Sequence, residues 1–372
     1  MTFNSIEDFI DQYESFVREW FQFKNNANLT HVEEEDFWSE LLVKIVQEDL
    51  LNKYNPDHYS KASFKTWLKR VLNNLFIDIK AHEKQKSYEG LIPIINQLIK
   101  SGFRKNHRLI GIGGGITQDI TAFTASIMYR GVNWIFFPTT LLAQGDSCIG
   151  SKTSINFGEY KNQVGGFYPP NQIYIDLNFQ NTLSPADLQS GFGEMSHYFV
   201  VAGEEDFKQY KHNYKTALTD KSVIENMITR SLAIKKSYIE IDEFDQNQRQ
   251  VFNYGHSFGH AIESLTDYAV PHGIAVSFGM DMANFFSVKM GLLKPQIREE
   301  IRELLQQIWE GYDIRHLNVK QFRSALAKDK KNVGQELRLI LCKGYGKVFK
   351  TPVKNDDQIH DWLREYFNQE LD

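Results

Sequence analysis

The chain has 372 residues, of which 42% are apolar and 24% are charged. This length exceeds what one hydrophobic core usually fills, so we expect two or three domains. The composition is typical of a globular protein and excludes a collagen-like or wholly disordered chain. The net charge of −5 gives no general attraction to nucleic acid.

Membrane and disulfide classes are also disfavoured. Apolar runs such as residues 132–137 are far shorter than the roughly 18 residues that a membrane helix needs. The first residues include Asn4 and Glu7 rather than a cationic patch before an apolar stretch, so we expect a cytoplasmic protein. Cys148 and Cys342 cannot form a disulfide framework or a paired-cysteine zinc site, so any metal must be bound by histidines and carboxylates.

The first 82 residues have a helical pattern. Apolar side chains recur at intervals of three and four from Ile6 to Trp20, which is one face of an amphipathic helix. Two similar runs follow, over residues 36–51 and 64–76. We therefore expect a helical amino-terminal segment over residues 1–81.

From residue 88 the pattern changes to alternating helices and strands. The predicted strands cover residues 109–112, 134–137 and 173–175. Residues 184–326 are predicted to be almost entirely helical, with strands returning only near 337–341 and 348–349. We expect an α/β nucleotide-binding-like sheet domain over residues 82–183, followed by a mainly helical, metal-binding domain over residues 184–372.

Three consecutive glycines, residues 113–115, lie between the first predicted strand and a helix that contains Asp119. Such a turn allows the backbone to approach a phosphate at a helix amino terminus. The pattern is not the full dinucleotide fingerprint, so a tight turn without a ligand is an equally good interpretation.

A histidine cluster is the second candidate site. His256 and His260 are four residues apart and so share one helical face, with Glu263 within a turn of His260. His272 follows sixteen positions after His256, and Glu194 lies in another glycine-rich helical start. Two imidazoles and one carboxylate from such residues would form a standard catalytic zinc site. The alternative is a set of buried histidines satisfied by hydrogen bonds, and the spacing alone does not decide between the two. Scattered basic residues are equally ambiguous between an anion site and solvated surface.

A series of motifs resembles the 3-dehydroquinate synthase family over about residues 82–350. The motifs follow the family's order and spacing, and they are Gly113–Asp119, Tyr129–Gly131, Pro138–Leu142, Asp146–Ser147, Gly150–Thr153, Lys161–Asn162, Thr182–Leu183, Ser190–Gly191, Glu194, Asp242–Glu243, Arg249, Asn253–Glu263, His272–Gly273, Ala275–Val276 and Asp329–Lys331. So many ordered motifs make the resemblance specific, and they favour the functional interpretation of the glycines and histidines.

The resemblance implies a role for each matching residue. Glu194, His256 and His272 would hold one divalent metal ion, zinc or cobalt. Contacts to NAD would come from Glu83, Lys86, Gly114, Gly115, Asp119, Thr139, Thr140, Lys161 and Thr182. The sugar-phosphate pocket and the catalytic groups would comprise Arg130, Asp146, Lys152, Asn162, His197, Lys235, Arg249, Asn253, His260 and Lys330.

The implied reaction is a cyclisation in the cleft between the two domains, in an enzyme expected to be a homodimer. A substrate hydroxyl passes a hydride to NAD, the resulting ketone acidifies the neighbouring carbon, and phosphate leaves. The hydride then returns, and an intramolecular aldol addition closes the carbocycle. The substrate would be a sugar phosphate such as 3-deoxy-D-arabino-heptulosonate 7-phosphate, with sedoheptulose phosphate and amino-sugar analogues as alternatives.

Two residues depart from the family pattern. His197 stands where the family has a lysine, three residues after the metal-binding glutamate. A permanent cation is thereby replaced by a group expected to titrate near neutrality. Asp245 replaces the glutamate usually found four residues before Arg249.

The amino-terminal segment departs further. Family members begin with strands that complete the nucleotide-binding sheet, whereas residues 1–80 here resemble region two of bacterial sigma factors. That resemblance rests on residues 36–45, 54–57 and 63–78, and it implies contact with RNA polymerase or DNA. A helical cap or dimer-forming surface is the alternative. The resemblance to sigma factors also suggests an alternative function for the whole chain. The chain would be a transcription-linked binding protein whose cyclase domains have lost activity and sense a ligand.

Overall fold

The structure is a computed structural model that describes residues 77–80, 82–158, 160–327 and 336–371. The predicted helices of residues 1–76, and with them the resemblance to sigma factors, lie outside the described residues. Lys330 also lies outside them. In the described part of the chain, no helix is long and apolar enough to cross a membrane.

The chain divides into two compact units. The described residues of the first unit are 77–80 and 89–104, which include nearly all of helix α1, Tyr88–Lys100. Leu91 and Leu98 are the buried side chains of this helix. The second unit comprises residues 81–88 and 105–372 and contains all the other elements described here. The predicted domain boundary between residues 183 and 184 falls inside the second unit and stays a prediction.

The strands of the second unit form one parallel sheet and two hairpins. They are β1, Leu109–Gly113; β2, Trp134–Pro138; β3, Lys152–Phe157; β4, Tyr160–Phe167; β5, Gln172–Ile173; β6, Glu336–Cys342; and β7, Val348–Lys354. Strands β1, β2 and β5 are parallel in that order, as the sequence predicts, although β5 has only two residues. The β6–β7 hairpin lies where strands were predicted, whereas the β3–β4 hairpin was not predicted.

Helices dominate from residue 184 onward, which confirms the predicted helical half. The helices of the second unit are α2, Gly115–Ile127; α3, Pro185–Ala202; α4, Glu204–Ala217; α5, Lys221–Ile239; α6, His256–Leu265; α7, His272–Lys289; α8, Pro295–Ile308; α9, Val319–Ala327; and α10, Asp357–Glu365. Helix α3 begins at a capping box, in which Ser184 and Asp187 satisfy each other's backbone N–H groups.

Helix α7 is the centre of the core. Every residue from Gly273 to Ser287 is buried, so this helix is surrounded by protein on all sides. The Phe278 ring stacks on the Trp309 ring with centroids 4.3 Å apart. Because His272 is the first residue of α7, the packing of this helix determines where that imidazole lies.

Glycines allow α7 to contact its neighbours backbone to backbone. A Cβ atom added to Gly273 would lie 1.7 Å from the carbonyl oxygen of Ser190, and one on Gly193 would lie 2.1 Å from that of Gly273. On the other side of α7, a Cβ on Gly279 would lie 2.0 Å from the carbonyl oxygen of Gly255. Any side chain at these positions would separate the helices, so glycine is required for their close approach.

A buried ionic network ties α7 to the end of the described chain. The Asp281 carboxylate is fully buried and accepts two hydrogen bonds from Arg298, at 2.9 and 3.0 Å. Arg298 also donates to Glu370 at 2.8 Å, and the Tyr366 hydroxyl donates to Asp281 at 2.9 Å. Arg302 lies 3.6 Å from Asp281 and 3.1 Å from Glu370. These contacts compensate the charge of a carboxylate that would otherwise be costly to bury.

Candidate active site and metal centre

Three side chains from different helices converge on one point. Glu194 comes from α3, His256 is the first residue of α6, and His272 is the first residue of α7. Glu194 Oε1 lies 3.3 Å from His256 Nε2, and Glu194 Oε2 lies 3.4 Å from His272 Nε2. The structure therefore brings together the three residues predicted to bind a metal.

This donor set fits a divalent metal ion. The ligand atoms lie within 4.8 Å of one another. Glu194 Oε2 is buried and has no hydrogen-bond partner, which is costly for a carboxylate oxygen. One carboxylate and two imidazoles are the ligands of many zinc sites that keep a position open for substrate.

The electrostatics of the cluster favour positive charge. Burial alone would raise the pKa of Glu194, but the facing His256 and His272 outweigh burial and hold this pKa well below its ordinary value of 4.5. Burial alone would lower the pKa of His272, yet Glu263 and Glu194 raise it to about 10. Two carboxylates thus stabilise positive charge on the His272 ring.

A second carboxylate contacts His272 from the other side of its ring. Glu263 Oε2 lies 3.0 Å from His272 Nδ1, and Lys161 Nζ lies 3.0 Å from Glu263 Oε1. The ring of His260 stacks near that of His272, with centroids 5.7 Å apart. Lys161, predicted to contact NAD, is therefore linked through Glu263 to the metal cluster.

Other predicted NAD contacts surround the amino-terminal half of α2. Lys86 donates to Asp119 Oδ2 at 2.7 Å and lies 3.8 Å from Glu83 Oε1. Asp119 Oδ1 accepts from the backbone N–H of Ser154 at 3.0 Å, and Glu83 Oε1 accepts from Asn156 at 2.8 Å. These bonds join the segment before α1 to strand β3 and place three of the predicted residues together.

The glycine turn precedes α2 directly. Gly114 is the N-cap of α2 and makes no side-chain cap, and a Cβ atom there would lie 2.8 Å from Thr140 Cγ2. The backbone N–H of Thr139 donates to Gly113 at 3.0 Å. Thr182 lies on another short helix, Leu177–Thr182, where its hydroxyl donates to Phe179.

Asp146 is the centre of the predicted substrate pocket. Lys235 donates to its Oδ1 at 2.6 Å and to its carbonyl oxygen at 2.7 Å. The hydroxyl of Tyr198 also donates to Asp146 Oδ1. Burial and the Asp146 charge raise the pKa of Tyr198 well above 10, so Tyr198 remains a hydrogen-bond donor at neutral pH.

Arg249 and Lys152 lie near the same loop. Arg249 is buried and donates to the carbonyl oxygens of Gly150 at 3.0 Å and Glu243 at 2.5 Å. Lys152 Nζ lies 2.5 Å from Asp245 Oδ2. A Cβ atom on Gly150 would lie 2.3 Å from the Arg249 guanidinium. Gly150 therefore allows Arg249 to lie against the backbone of this loop.

The remaining predicted pocket residues differ in position. Asn162 lies in β4 with a φ of 55°, and its backbone N–H donates to Asn156 at 2.9 Å. Asn253 ends the short helix that leads to His256 and donates to Gln250 at 3.0 Å. Arg130 is exposed on the turn after α2, a helix of 13 residues and so about 20 Å long. The structure therefore does not bring Arg130 to the Asp119 end of that helix.

His197 differs from the sequence expectation. The side chain is fully buried, and neither ring nitrogen has a hydrogen-bond partner. Its ring packs against Tyr198 with centroids 4.0 Å apart. Burial lowers the pKa of His197 from 6.5 to about 4. The expectation that His197 titrates near neutrality is therefore wrong, because desolvation disfavours its charged form.

Comparison with known proteins decides the family. The model of the 3-dehydroquinate synthase N-terminal region matches residues 76–190, and that of the C-terminal region matches residues 191–332. The chain belongs to the 3-dehydroquinate synthase family. The 3-dehydroquinate synthase of Dictyoglomus turgidum is 38% identical over 275 residues, which cover 73% of this chain and 77% of that protein. The synthase of Helicobacter pylori strain P12 is 36% identical over 270 residues, 72% of this chain and 77% of that one.

Another 3-dehydroquinate synthase relative is longer. The bifunctional 3-dehydroquinate synthase/phosphatase of Fusobacterium nucleatum is 33% identical over 301 residues, which cover 79% of this chain. The match spans 45% of that protein's length.

Solved structures support the same fold. A 2-deoxy-scyllo-inosose synthase complexed with carbaglucose-6-phosphate, NAD⁺ and Co²⁺ aligns with a TM-score of 0.69 and 24% identity, covering 78% of this chain and 82% of that chain. A 2-epi-5-epi-valiolone synthase from Streptomyces hygroscopicus with NAD⁺ and Zn²⁺ bound aligns with a TM-score of 0.72 and 22% identity. This alignment also covers 78% of this chain and 82% of that chain. At these identities the likeness establishes the fold.

Sequence reasoning missed two residues of this 3-dehydroquinate synthase family site. Tyr198 directly follows His197, and its hydroxyl reaches Asp146. Glu263 was noted only for its place near His260, yet it contacts both His272 and Lys161. The spacing from His260 to Glu263 indicated that the two residues share a helical face. It gave no information about the contacts of Glu263 with Lys161 on β4 and His272 on α7.

Proposed function

We propose that this protein is a 3-dehydroquinate synthase that acts on 3-deoxy-D-arabino-heptulosonate 7-phosphate, with NAD and one divalent metal ion, in the shikimate pathway of aromatic amino acid biosynthesis. The observation that carries the proposal is the convergence of Glu194, His256 and His272 in a chain 36–38% identical to such synthases. A cytoplasmic location remains a prediction from the sequence.

The residues that would hold the cofactors follow from the geometry. Glu194, His256 and His272 would bind zinc or cobalt, and the glycine turn before α2 would approach the NAD phosphates. A bound ion supplies polarisation of substrate oxygens, and bound NAD supplies temporary acceptance of a hydride. Lys86 and Lys161, each paired with a carboxylate, would provide donors on the NAD side.

The substrate would be held by cations around Asp146. Lys235, Arg249 and Lys152 offset the charge of the phosphate and carboxylate groups. Asp146 fixes Lys235 through two hydrogen bonds, and Tyr198 fixes Asp146. His260 stands beside the metal cluster, where an imidazole can hold or move a proton on a bound substrate.

Several finer points belong to this proposal. We infer that the sheet half and the helical half meet near residue 184, which agrees with the separate family matches on either side of residue 190. We expect a homodimer, and the position of Arg130 at the far end of α2 favours its use by another copy. Contact of residues 1–80 with RNA polymerase or DNA stays a prediction. Family membership favours the enzyme over the ligand-sensor alternative.

A cyclase for a sugar phosphate without a carboxylate is a second candidate. The neutral, buried His197 favours it, because this residue replaces a lysine and removes one positive charge from the pocket. The substrate class would then be that of sedoheptulose 7-phosphate.

Phosphate release tests both candidates. The purified full chain, supplied with NAD and Zn²⁺ or Co²⁺, should release phosphate from 3-deoxy-D-arabino-heptulosonate 7-phosphate, and Glu194→Gln should not. Faster release from sedoheptulose 7-phosphate would favour the second candidate. A protein that binds the metal but releases phosphate from neither substrate would refute both candidates and support the ligand sensor.

A further inference from the structure

Glu263 is almost fully buried and serves two partners with its two oxygens. Its Oε2 atom lies 3.0 Å from Nδ1 of His272, and its Oε1 atom accepts from Lys161 at 3.0 Å. Nε2 of the same His272 ring faces Glu194 at 3.4 Å. The Lys161 ammonium also lies 5.1 Å from the centre of the Tyr268 ring. Four side chains therefore form a continuous chain from Lys161 to Glu194.

One alternative is that Glu263 belongs to a second metal site. Ligand atoms of His260, Glu263 and His272 lie within 4.8 Å of one another. However, Nδ1 of His272 is already within hydrogen-bond distance of Glu263, and Lys161 already supplies a cation to the other oxygen. The negative charge of Glu263 is therefore compensated by the protein itself, and this group differs from Glu194, whose Oε2 has no hydrogen-bond partner.

The contact at Nδ1 has a direct consequence for His272. In the neutral ring, which is the form that binds a metal ion, an N–H donated to Glu263 leaves the lone pair of His272 on Nε2, which faces Glu194 and the proposed ion. A carboxylate on the outer nitrogen of a metal-binding histidine also fixes the ring orientation and increases its basicity.

We propose, on the basis of the function proposed above, that Glu263 is a positioning residue shared by the two cofactor sites, which couples NAD binding at Lys161 to metal binding at His272. A ligand that attracts the Lys161 ammonium leaves more of the Glu263 charge for His272. A cation on the Nε2 side of His272 likewise draws Glu263 away from Lys161. Each event therefore favours the other, and the coupling must be reciprocal.

The first experiment measures Co²⁺ affinity of the full chain without NAD or substrate, by chelator competition and the Co²⁺ absorption spectrum. Glu263→Gln keeps the side-chain shape and should weaken Co²⁺ binding by about 10- to 100-fold. The matched control is Glu204→Gln, which removes the carboxylate of an exposed pair with Lys208 and should leave the affinity unchanged. A Glu263→Gln variant with wild-type Co²⁺ affinity and spectrum would overturn the proposal, whereas a wild type that binds no Co²⁺ would refute the proposed function itself.

The second experiment measures NAD affinity by calorimetry with and without Co²⁺. Wild type should bind NAD on the order of fivefold or more tightly with Co²⁺ present. Lys161→Gln should lose this ratio and should bind Co²⁺ at least as tightly as wild type, because the Glu263 charge is then left to His272. The control Lys208→Gln should keep both the wild-type ratio and the wild-type Co²⁺ affinity. Because Lys161 is partly exposed, this variant tests the coupling even where Glu263→Gln does not fold. Equal NAD affinities in wild type, or an unchanged ratio in Lys161→Gln, would overturn the coupling.

Discussion

The ring of His197 packs edge-on against the ring of the metal-cluster residue His256, with centroids 5.4 Å apart. His197 is thus beside the cluster, yet both of its ring nitrogens lack hydrogen-bond partners. Tyr198 and Phe252 cover its other sides. A neutral, apolar contact surface therefore replaces the cation that the family pattern places here.

We expect His197→Gln to leave the shape of the kcat/KM profile unchanged between about pH 6 and about pH 9. The pKa of His197 is about 4 in the folded protein, so the ring is neutral throughout this range. Profiles of wild type and variant measured on the same substrate check this. If kcat/KM of the wild type changed with pH near neutrality and this change disappeared in the variant, His197 would titrate during turnover.

The same pKa predicts a loss of stability in acid. The unfolded chain binds a proton on this histidine near pH 6.5, whereas the folded ring does so only near pH 4. As pH falls through this window the unfolded state binds more protons, so stability decreases. Urea unfolding from about pH 7 to about pH 4 should show a steeper loss in wild type than in His197→Gln. Equal decreases in the free energy of unfolding of the two proteins over this pH range would contradict the prediction.

His256→Ala should abolish stoichiometric metal binding. Zinc sites with three protein ligands depend on each of them, and His256 is the ligand at the start of α6. Elemental analysis of protein purified in zinc-containing buffer measures this, with His212→Ala on the exposed face of α4 as the control. Full metal retention by His256→Ala would mean that the ligand set is wrong.

Gly273→Ala should lower both stability and metal affinity. The added methyl group would lie 1.7 Å from the Ser190 carbonyl oxygen, so α3 and α7 must separate. Such overpacking costs about 1–3 kcal/mol or more. The control is Gly166→Ala, because no atom lies within 4 Å of a Cβ there. Thermal unfolding and Co²⁺ titration of both variants provide the test, and a Gly273→Ala variant equal to Gly166→Ala would count against it.

Arg298→Met should destabilise the fold by about 3–5 kcal/mol. The substitution removes both hydrogen bonds from Arg298 to the fully buried Asp281 carboxylate and leaves the Tyr366 hydroxyl as its remaining close donor. Because Arg302 remains 3.6 Å away, we expect the lower end of this range. Arg230→Met removes an exposed pair with Asp206 and should cost less than about 1 kcal/mol. Equal urea midpoints for the two variants would be the contrary result.

NAD should bind in the high-micromolar range or more weakly, on the order of −5 kcal/mol. Among the described residues, β1 is an edge strand of the parallel sheet, whereas the family resemblance implies further strands before it. The glycine turn can still approach phosphates, but contacts to the adenosine half would be fewer. Calorimetry measures this directly. Nanomolar affinity in a monomer would mean that residues 1–80 complete the site and would remove the support for their sigma-like interpretation.

Local patterns predicted those elements whose residues show a clear period. Strands β1 and β2 are short apolar runs, and some helices after residue 184, such as α3, α5 and α10, begin at a side-chain cap. The β3–β4 hairpin was not predicted because β4 is largely exposed and contains Gly165 and Gly166, so it lacks the alternation that marks a half-buried strand.

The site was predictable in part. The spacing of His256 and His260 indicated a shared face and Glu194 and His272 were candidate partners, but family resemblance was needed to select Glu194, His256 and His272 as the ligand set. The charge of His197 was predicted wrongly because burial depends on what packs against α3, and all its residues from Ser190 to Val201 are buried. No local pattern contains that information, since it arises from helices distant in sequence.

The contacts of Gly193 and Gly273 have one more consequence. Because main-chain atoms meet there, the separation of the helices that carry Glu194 and His272 does not depend on the rotamer or identity of neighbouring side chains. Residues around the ion can therefore be exchanged over evolutionary time without altering the spacing of its ligands. A fold built in this way can retain one metal-dependent chemistry while its pocket diverges toward new sugar phosphates, and His197 is a change of that kind.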